Sequence, residues 1–208
     1  MFLIRKTRKM NKLRGLIKAG NHKLPRTTAI FNMGPATTCP SKKLGLCQAF
    51  TKEGKHVCYA LRAEVQYPRA LPYRKRQEKY WKKNSAERFI MDFLEIQSRK
   101  RNKFTAIRLN ESGDFWTQDC IRKAELISRY LEGIDVKVYC YTARSDLDYS
   151  RVSSLVVMGS DFKKEGIAGV FKMIETRKER PKGFGTCAMD CRKCKRCIKG
   201  QNTVVMRH

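Results

Sequence analysis

Acidic residues are scarce in this chain, which has 19 Asp and Glu against 46 Lys and Arg and a formal net charge of +27. Residues 1–52 contain no acid at all. Such a charge attracts polyanions, and the candidates are DNA, RNA or an acidic membrane surface; of these we expect the protein to bind nucleic acid, either DNA or RNA. A basic N-terminal arm is predicted over residues 1–37, and its contacts with nucleic acid would come from Arg5, Lys6, Arg8 and Lys9.

Long apolar runs are also missing. No stretch approaches the ~20 apolar residues of a membrane span, and the opening MFLI is too short for the core of a signal peptide. We therefore expect no membrane partner and a location in the cytoplasm. Because the cytoplasm is reducing, clustered cysteines there indicate metal sites rather than disulfides.

Histidine is rare, with three residues, whereas cysteine is frequent, with nine, and seven of the cysteines form two clusters. The denser cluster occupies eleven residues and consists of Cys187, Cys191, Cys194 and Cys197. Four thiols this close cannot all pair in unstrained disulfides, because a disulfide needs a particular Cα separation and Cβ direction. Thiolates that converge on zinc or on a 4Fe-4S cluster satisfy the same spacing, which leaves both cofactors open. His208 is a further candidate ligand of this C-terminal site.

A looser cluster near the N-terminus consists of Cys39, Cys47 and Cys58. Three thiolates leave one position of a zinc ion or a cluster iron open for a substrate or cofactor, so this set predicts a second metal site. Basic residues are interleaved with the C-terminal cysteines and are candidates for phosphate contacts. They include Arg192, Lys193 and Arg196.

The order of apolar patterns predicts an α/β fold. A helical period over residues 74–100 carries an aromatic stripe that we expect in the core, and Asn84 or Ser85 is positioned to cap a second helix within it. A further helix is predicted at 117–131, and strands are predicted at 104–109, 135–141, 154–158 and 167–174. Strand–helix–strand order with apolar strands indicates a parallel sheet or an incomplete (β/α) barrel. An irregular Cys-containing N-terminal region would precede it and a small C-terminal Cys-rich metal site would follow. The predicted domains are the arm 1–37, the α/β domain 38–180 and the Cys-rich metal-binding tail 181–208.

Reactive side chains follow three of the predicted strands. In parallel α/β folds, ligands bind at the carboxyl ends of the strands. The candidate catalytic residues at that edge are Glu111, Ser112, Asp114, Asp146 and Asp161. Glu111 and Asp114 form a candidate general acid/base or cofactor-binding pair, whereas Asp146 and Asp161 are equally consistent with capping of following helices. Arg144, close to Asp146, is a candidate contact to nucleic acid.

Short motifs along the chain resemble the phage "gene product eighty-eight" family. They are Thr38-Cys39-Pro40, Cys47, Cys58-Tyr59-Ala60, Arg108 with Glu111-Ser112-Gly113-Asp114-Phe115, and Tyr141-Thr142. The ending, Cys191…Cys194-x-x-Cys197…Val204-Val205…His208, is similar to the tail of that family. The resemblance covers residues 38–208 as short motifs and implies a phage protein of the host cytoplasm.

More distantly, the chain resembles radical-SAM enzymes. Their three-cysteine loop holds a 4Fe-4S cluster, and a Gly-Glu-type loop binds the methionine amine of S-adenosylmethionine. The resemblance implies that Cys39, Cys47 and Cys58 hold the cluster, with the C-terminal cysteines as an auxiliary centre. It also implies that S-adenosylmethionine is bound by Glu111, Ser112 and Asp114. The spacing here is C-x7-C-x10-C, longer than that family's C-x3-C-x2-C.

A second distant resemblance is to the tRNA/DNA guanine transglycosylases, which are (β/α) barrels with a zinc site near the C-terminus. It implies zinc ligands at Cys191, Cys194, Cys197 and His208. The nucleophile would be an aspartate among Asp114, Asp146 and Asp161.

These features predict a metal- or iron–sulfur-dependent enzyme that acts on nucleic acid or nucleotides, with base modification of the radical-SAM kind as the first choice. One alternative is transglycosylase-like base exchange with structural zinc. The other is a non-enzymatic, zinc-containing protein that binds nucleic acid. That last alternative accounts for the charge and the cysteines but leaves the acids after the first predicted strand unexplained.

Overall fold

The computed structural model describes residues 11–47 and 58–206, which contain five α-helices and eight strands. The helices are α1 (Pro40–Lys43), α2 (Tyr59–Gln66), α3 (Ala70–Lys83), α4 (Ala86–Arg99) and α5 (Gln118–Glu132). The strands are β1 (Lys18–Ala19), β2 (Thr28–Phe31), β3 (Ala106–Leu109), β4 (Lys137–Thr142), β5 (Val156–Ser160), β6 (Gly169–Ile174), β7 (Gly185–Thr186) and β8 (Thr203–Met206). Short 3-10 turns lie at Lys12–Gly15, Ala36–Thr38, Arg177–Glu179 and Cys197–Lys199.

All eight strands form one sheet with the order β1-β2-β3-β4-β5-β6-β8-β7. β1 pairs antiparallel with β2, and every other neighbouring pair is parallel. Neighbours follow chain order from β1 to β6, as they do in (β/α) barrels. The predicted α/β class and parallel sheet are confirmed. Over the described residues the sheet is open, with β1 and β7 as its two edges, and no closed barrel is formed.

One face of the sheet is covered by α4 and α5, which pack against each other. Apolar side chains recur at three- and four-residue steps along both helices. They include Phe89, Phe93 and Ile127, which are buried in one cluster with Ile107 and Val138 of the sheet. Burying a side chain of this size contributes about 1.5–3 kcal/mol through the loss of exposed apolar surface. This layer is therefore the main core of the molecule.

The helical stretch predicted at 74–100 is divided into α3 and α4 at Ser85, as the sequence suggests. The Ser85 side chain accepts a hydrogen bond from Arg88 N at 3.3 Å and so satisfies one free amide at the start of α4. The aromatic stripe is buried as predicted, with the rings of Tyr80 and Trp81 centred 6.1 and 6.0 Å from that of Phe31. These contacts fix the end of α3 against β2.

We call the opposite face of the sheet the inner face. Alternate residues of the same strands form it, because successive side chains of a strand point to opposite faces. Ile30 of β2 is in register with Arg108 of β3, and Arg108 with Tyr139 of β4. Tyr141 extends the row and makes an edge-to-face contact with Phe171 of β6, with ring centres 5.0 Å apart. The inner face therefore carries tyrosine and arginine side chains as well as Ile30, whereas the helix face is apolar.

Loops without an α-helix join β4 to β5 and β5 to β6. Asp146 lies in the first of these loops and Asp161 in the second. Neither residue precedes an α-helix, so the interpretation that they cap following helices is wrong. Parallel strands without a covering helix need other side chains or loops to cover them, and the tail of the chain supplies such a loop on the inner face.

The sheet takes strands from all three segments of the predicted domain division. β1 and β2 come from 1–37, and β7 and β8 come from 181–208. Five residues named from the sequence lie outside the described residues, namely Arg5, Lys6, Arg8, Lys9 and His208. In the described part of the chain, no helix has the length and apolar character that a membrane crossing requires.

Candidate functional site

We call residues 110–117, which follow β3, the β3 loop, and residues 143–155, which follow β4, the β4 loop. The β3 loop packs tightly on the segment that follows β2. Gly113 has a φ of +73°, and a Cβ there would lie 2.6 Å from the carbonyl oxygen of Gly34, so only glycine fits. Asn110 also has a positive φ, 56°, and its Oδ1 accepts a hydrogen bond from Met33 N at 3.4 Å. These turns bring three of the predicted site residues to the carboxyl edge of the sheet, namely Glu111, Ser112 and Asp114.

Asp114 is buried at the centre of this edge, and both of its carboxylate oxygens are occupied. Oδ2 accepts hydrogen bonds from the Ser41 hydroxyl and from Ala143 N, the latter at 2.9 Å. Oδ1 accepts one from Phe115 N at 2.8 Å. Burial raises the pKa of Asp114 above its usual value, and these hydrogen bonds act in the opposite direction. Asp114 therefore joins α1, the β3 loop and the β4 loop, with its carboxylate directed into the protein.

Ser112 is buried in a second polar network that joins the β3 loop to α2 and α3. Its backbone N donates to Asn32 Oδ1 at 2.8 Å, and its hydroxyl donates to Glu64 Oε1 at 3.3 Å. Glu64 also accepts hydrogen bonds from Ala36 N at 2.6 Å and from the Arg74 guanidinium at 2.8 Å. These bonds are internal to the protein, so Ser112 serves to hold the loop in place.

Glu111 differs from its neighbours because its side chain is partly exposed. Its Oε1 accepts a hydrogen bond from Asn21 Nδ2 at 2.6 Å, and its backbone oxygen accepts one from the Tyr59 hydroxyl at 2.6 Å. Of the two predicted acids in this loop, Glu111 is the one that a substrate or cofactor can reach.

The two remaining predicted acids form ion pairs. Asp146 binds the buried Arg144 guanidinium through two bonds of 2.7 Å, and Arg144 also donates to Phe115 O at 2.5 Å. Asp161 pairs with Lys172 at 2.9 Å. Arg144 thus joins the β3 and β4 loops through its hydrogen bonds to Phe115 O and to Asp146. Its predicted contact with nucleic acid, and the predicted catalytic roles of both acids, stay predictions.

Arg108 lies on the inner face beside the aromatic rings. Its Cζ is 4.5 Å from the centre of the Tyr141 ring, which is a cation–π contact. Its Nε is shielded from solvent and has no hydrogen-bond partner among the described residues. Because arginine does not lose its proton in proteins, the inner face holds a positive charge with a donor still available.

Sequence reasoning gave no role to Arg108 or to the tyrosines beside it. A signal was nevertheless present in β4, where Val138 and Cys140 alternate with Tyr139 and Tyr141. Small apolar residues on one side and aromatic residues on the other indicate a strand that is covered on both faces.

The C-terminal cysteines lie in a loop that is held against the inner face. Cys187 N donates to Val204 O at 2.7 Å, and Cys191 N donates to Lys23 O at 3.0 Å. The thiol of Cys197 is within hydrogen-bonding reach of the side chains of Tyr141 and Thr203. Cys187, Cys191, Cys194 and Cys197 are free thiols. This loop is therefore positioned by backbone hydrogen bonds to β8 and to the β1–β2 hairpin, and not by disulfides.

The four thiols interact with one another and with the inner face. Burial raises the pKa of Cys191, the other three thiols of the cluster raise it further, and Arg108 lowers it. Burial likewise raises the pKa of Tyr139 to about 12, with further contributions from Cys191 and Cys197. The Cys197 thiol lies beside Tyr141, and the Arg108 guanidinium contacts the Tyr141 ring, so this part of the C-terminal loop and Arg108 share one region of the inner face.

The C-terminal cysteines have the donor chemistry of a metal site but not its geometry. Within the described residues, no group of three or more His, Cys, Asp or Glu side chains has the geometry of a metal site. Four partly exposed thiols in one loop are the soft donors that zinc and iron–sulfur clusters prefer. The donor types therefore suit either group although the thiols are not arranged as a metal site, and the metal centres stay predictions.

The N-terminal cysteines lie on the other side of the β3 loop. Cys39 immediately precedes α1, and Cys58 immediately precedes α2. Burial raises the pKa of Cys39 to about 11, with additional effects of the same sign from Asp114 and Cys47. The structure thus brings Cys39 and Cys47 together beside Asp114. Cys58 precedes Tyr59, which binds the same loop, and the connecting residues 48–57 lie outside the described residues.

The basic residues among the C-terminal cysteines have different surroundings. Arg192 is exposed and pairs with Asp190 at 2.8 Å, and Lys193 is exposed. Arg196 donates to Asn202 O at 2.9 Å and packs its guanidinium on Gly185. Arg192 and Lys193 are therefore accessible to a phosphate, whereas Arg196 holds the tail together.

Comparison with known proteins gives one match. A family model described as Gene product 88 matches residues 1–163 of the chain. The matched segment includes the N-terminal cysteines and the β3 loop and ends before the C-terminal cysteines. No curated protein and no solved structure matches the chain.

Proposed function

This chain belongs to the Gene product 88 family, and we propose that it is a metal- or iron–sulfur-dependent enzyme that modifies bases of nucleic acid or nucleotides. Its site is proposed at the carboxyl edge of the sheet, where the C-terminal cysteine loop packs on the inner face and the N-terminal cysteines lie near the β3 loop. The observation that carries the proposal is that the C-terminal loop packs on the inner face, where the Cys197 thiol lies beside Tyr141 and Arg108 contacts the same ring.

Charge balance supports this assignment. Thiolates bound to zinc or to an iron–sulfur cluster leave a net negative charge, which is costly to bury without a cation nearby. Arg108 is close enough to Cys191 and Cys197 to interact with both electrostatically. Its unpartnered Nε supplies a donor for a sulfur ligand or for an anionic group of the substrate.

In this proposal the chain's residues divide the work as follows. The metal or cluster is held by Cys187, Cys191, Cys194 and Cys197. A zinc ion there supplies Lewis acidity or rigidity, and an iron–sulfur cluster supplies single electrons. Arg108 orients an anionic group of the substrate, and Glu111 accepts or delivers a proton through its carboxylate oxygens at the rim of the site.

The N-terminal thiols are the proposed second centre. In the radical-SAM version, Cys39, Cys47 and Cys58 hold the catalytic cluster and S-adenosylmethionine binds at the β3 loop. Because Ser112 and Asp114 use their hydrogen bonds internally, we assign the contact with the methionine amine to Glu111. Ser112 and Asp114 are then positioning residues.

The transglycosylase alternative has less support. A nucleophilic aspartate needs a carboxylate oxygen that reaches the substrate. Asp114 is buried with both oxygens bonded, and Asp146 is held bidentately by Arg144. Asp161 is tied to Lys172.

The internal bonds of these three aspartates also support the non-enzymatic alternative. Acids that are bonded within the protein stabilise its fold and need no catalytic role. This alternative keeps the zinc site and the basic surface and assigns no proton transfer to Glu111. It therefore differs from the enzyme proposal in predicting no chemical product.

A product assay separates the candidates. The protein is purified without oxygen and incubated with DNA or RNA, S-adenosylmethionine and a reductant, and the released nucleosides are analysed by mass spectrometry. The enzyme proposal predicts a nucleoside of altered mass that needs Glu111. Incorporation of labelled guanine without S-adenosylmethionine indicates base exchange. Tight nucleic-acid binding without any product contradicts an enzymatic function.

A further inference from the structure

The exposed side of α3 is the most basic helical surface in the described part of the chain. We call Lys75, Arg76, Lys79, Lys82 and Lys83 the α3 basic face, and all five side chains are exposed. One acid, Glu78, interrupts this face and binds Lys82 at 2.5 Å. Lysines 75, 79, 82 and 83 line a shallow groove together with Glu78. The charge of this groove is strongly positive.

The spacing of three of these lysines lowers the stability of α3. Lys75, Lys79 and Lys83 follow one another at four-residue steps, so their ammonium groups lie on one side of α3 about 6 Å apart along the axis. Like charges at this spacing repel and destabilise a helix. Among the described residues, these three ammonium groups have no ion pair or hydrogen bond that compensates. A surface that costs stability in the free protein is typical of a binding site.

The α3 basic face ends next to the proposed site. Lys82 Nζ lies 4.0 Å from the centre of the Trp116 ring, and Trp116 belongs to the β3 loop. Lys123 of α5 fixes the end of α3 by donating to Trp81 O and Asn84 O. The face therefore leads along α3 to the carboxyl edge of the sheet, where Glu111 is partly exposed.

We propose that the α3 basic face binds the sugar–phosphate backbone of a nucleic acid and directs the strand toward the β3 loop. The proposal deepens the function proposed above and rests on it. Lysine ammonium groups bind phosphates as point charges and carry no base preference, which suits a surface that positions a strand.

A nucleic acid fits this face better than a membrane does. A helix that binds a membrane surface presents an apolar side for insertion. The large apolar residues exposed in the described part of the chain all lie outside α3, at Leu44, Tyr59, Val65, Tyr67, Met91, Leu126, Tyr130 and Ile134. Of the aromatic residues of α3, Tyr80 and Trp81 are buried, and the partly buried Tyr73 donates its hydroxyl to Leu16 O at 2.7 Å. The α3 basic face therefore presents charged side chains to a partner and no large exposed apolar side chain.

The test uses the full chain and two matched variants. The first is Lys75→Gln, Lys79→Gln and Lys83→Gln. The control removes the same number of charges at the opposite edge of the sheet and consists of Arg101→Gln, Arg129→Gln and Lys137→Gln, all exposed. Binding of a fluorescent DNA single strand, duplex and RNA is followed by anisotropy between about 50 and 200 mM salt.

The proposal predicts that the α3 variant loses affinity on the order of 100-fold at ~0.1 M salt and that its log–log salt slope falls by about 3. The control keeps the wild-type slope. Because like-charge repulsion is relieved, the melting temperature of the α3 variant rises by about 2 °C. That rise shows that lost binding is not lost folding.

Three results overturn the proposal. They are an unchanged salt slope in the α3 variant, equal losses in both variants, and α3-dependent binding of anionic vesicles without binding of any nucleic acid. The metal content of each preparation is measured in parallel. Absence of metal in the wild type contradicts the proposed function whatever the anisotropy shows, so the two failures are distinguishable.

Discussion

At the scale of single residues, the two acids of the β3 loop have different surroundings and therefore different expected roles. In Asp114→Asn, an amide nitrogen replaces an oxygen that accepts from Phe115 N or Ala143 N. Leaving a buried donor without its acceptor costs about 1–3 kcal/mol. Glu111→Gln alters a partly exposed side chain and should cost under about 0.5 kcal/mol.

Urea unfolding of both variants, with product formation measured alongside, checks this difference. We expect Glu111→Gln to keep the fold and the metal content while activity is lost, and Asp114→Asn to lower the unfolding midpoint. An Asp114→Asn protein as stable as the wild type would show that this carboxylate does not hold the three loops together.

Glu64 gives a prediction about pH. Burial alone would raise its pKa, but hydrogen bonds from Ala36 N, Arg74 and Thr37 N lower it below the ordinary value of 4.5. A depressed pKa means that the unfolded chain binds more protons, so the stabilisation is complete above about pH 4.5 and is lost as the pH falls through the folded-state pKa. Glu64→Gln leaves Arg74 buried without its partner and should cost about 3 kcal/mol at neutral pH.

The comparison is the free energy of unfolding against pH for the wild type, Glu64→Gln and the control Glu78→Gln. Glu78 pairs with the exposed Lys82, so its loss should cost under about 1 kcal/mol. The difference between the wild type and Glu64→Gln should shrink below pH 4.5. A difference that is constant with pH would contradict the assigned hydrogen bonds.

The sequence identified the acids of the β3 loop but not their contacts. Their position at the carboxyl edge follows from the strand pattern alone. The partners of Ser112 and Asp114 are Glu64 and Ser41, which lie 48 and 73 residues away in the chain. No periodicity reports contacts at that distance, so buried Ser112 and Asp114 could not be separated from accessible Glu111.

At the scale of elements, the join between the β2 and β3 segments depends on Gly113. Gly113→Ala places a Cβ at 2.6 Å from Gly34 O in a backbone of φ +73°. Gly45→Ala is a matched control, because Gly45 has a similar φ of +68° and no atom of the described residues lies within 4 Å of its Cβ position. Backbone strain alone costs about 1 kcal/mol, and overpacking adds about 1–3 kcal/mol.

Chemical denaturation of the two variants should therefore show Gly113→Ala losing about 3 kcal/mol and Gly45→Ala about 1 kcal/mol. Equal losses would mean that the two segments do not pack as closely as described.

The longer elements follow from the sequence and the shorter ones do not. The helix predicted at 117–131 is α5, Gln118–Glu132, and the strand predicted at 135–141 is β4, Lys137–Thr142. These elements have strong periods of their own. β1 and β7 have two residues each, too few for a period, and they form because a neighbouring strand offers its hydrogen bonds.

At the scale of the whole molecule, one open sheet separates an apolar helix side from an inner side that carries Arg108 and the C-terminal thiol loop. The helix side follows from apolar periodicity. The inner side follows only from the return of the tail, whose cysteines reach Arg108 from about 80 residues later in the chain. The sequence predicted the ligands of a C-terminal metal site, and the fold adds the cation beside them.

The most direct test of this account is metal content per chain after purification without oxygen, measured by elemental analysis and visible absorbance. We predict bound zinc, or iron with the broad visible absorbance of a cluster. The metal content per chain should fall when Cys187, Cys191, Cys194 and Cys197 are all changed to Ser, because the C-terminal centre is lost and only the proposed N-terminal centre remains. The metal content should be unchanged in the control Cys120→Ser, since Cys120 belongs to α5 and its thiol contacts the hydroxyl of Thr117, the residue before that helix. A folded wild-type protein with four reactive thiols and no zinc or iron, or equal metal content in the quadruple variant, would contradict the account.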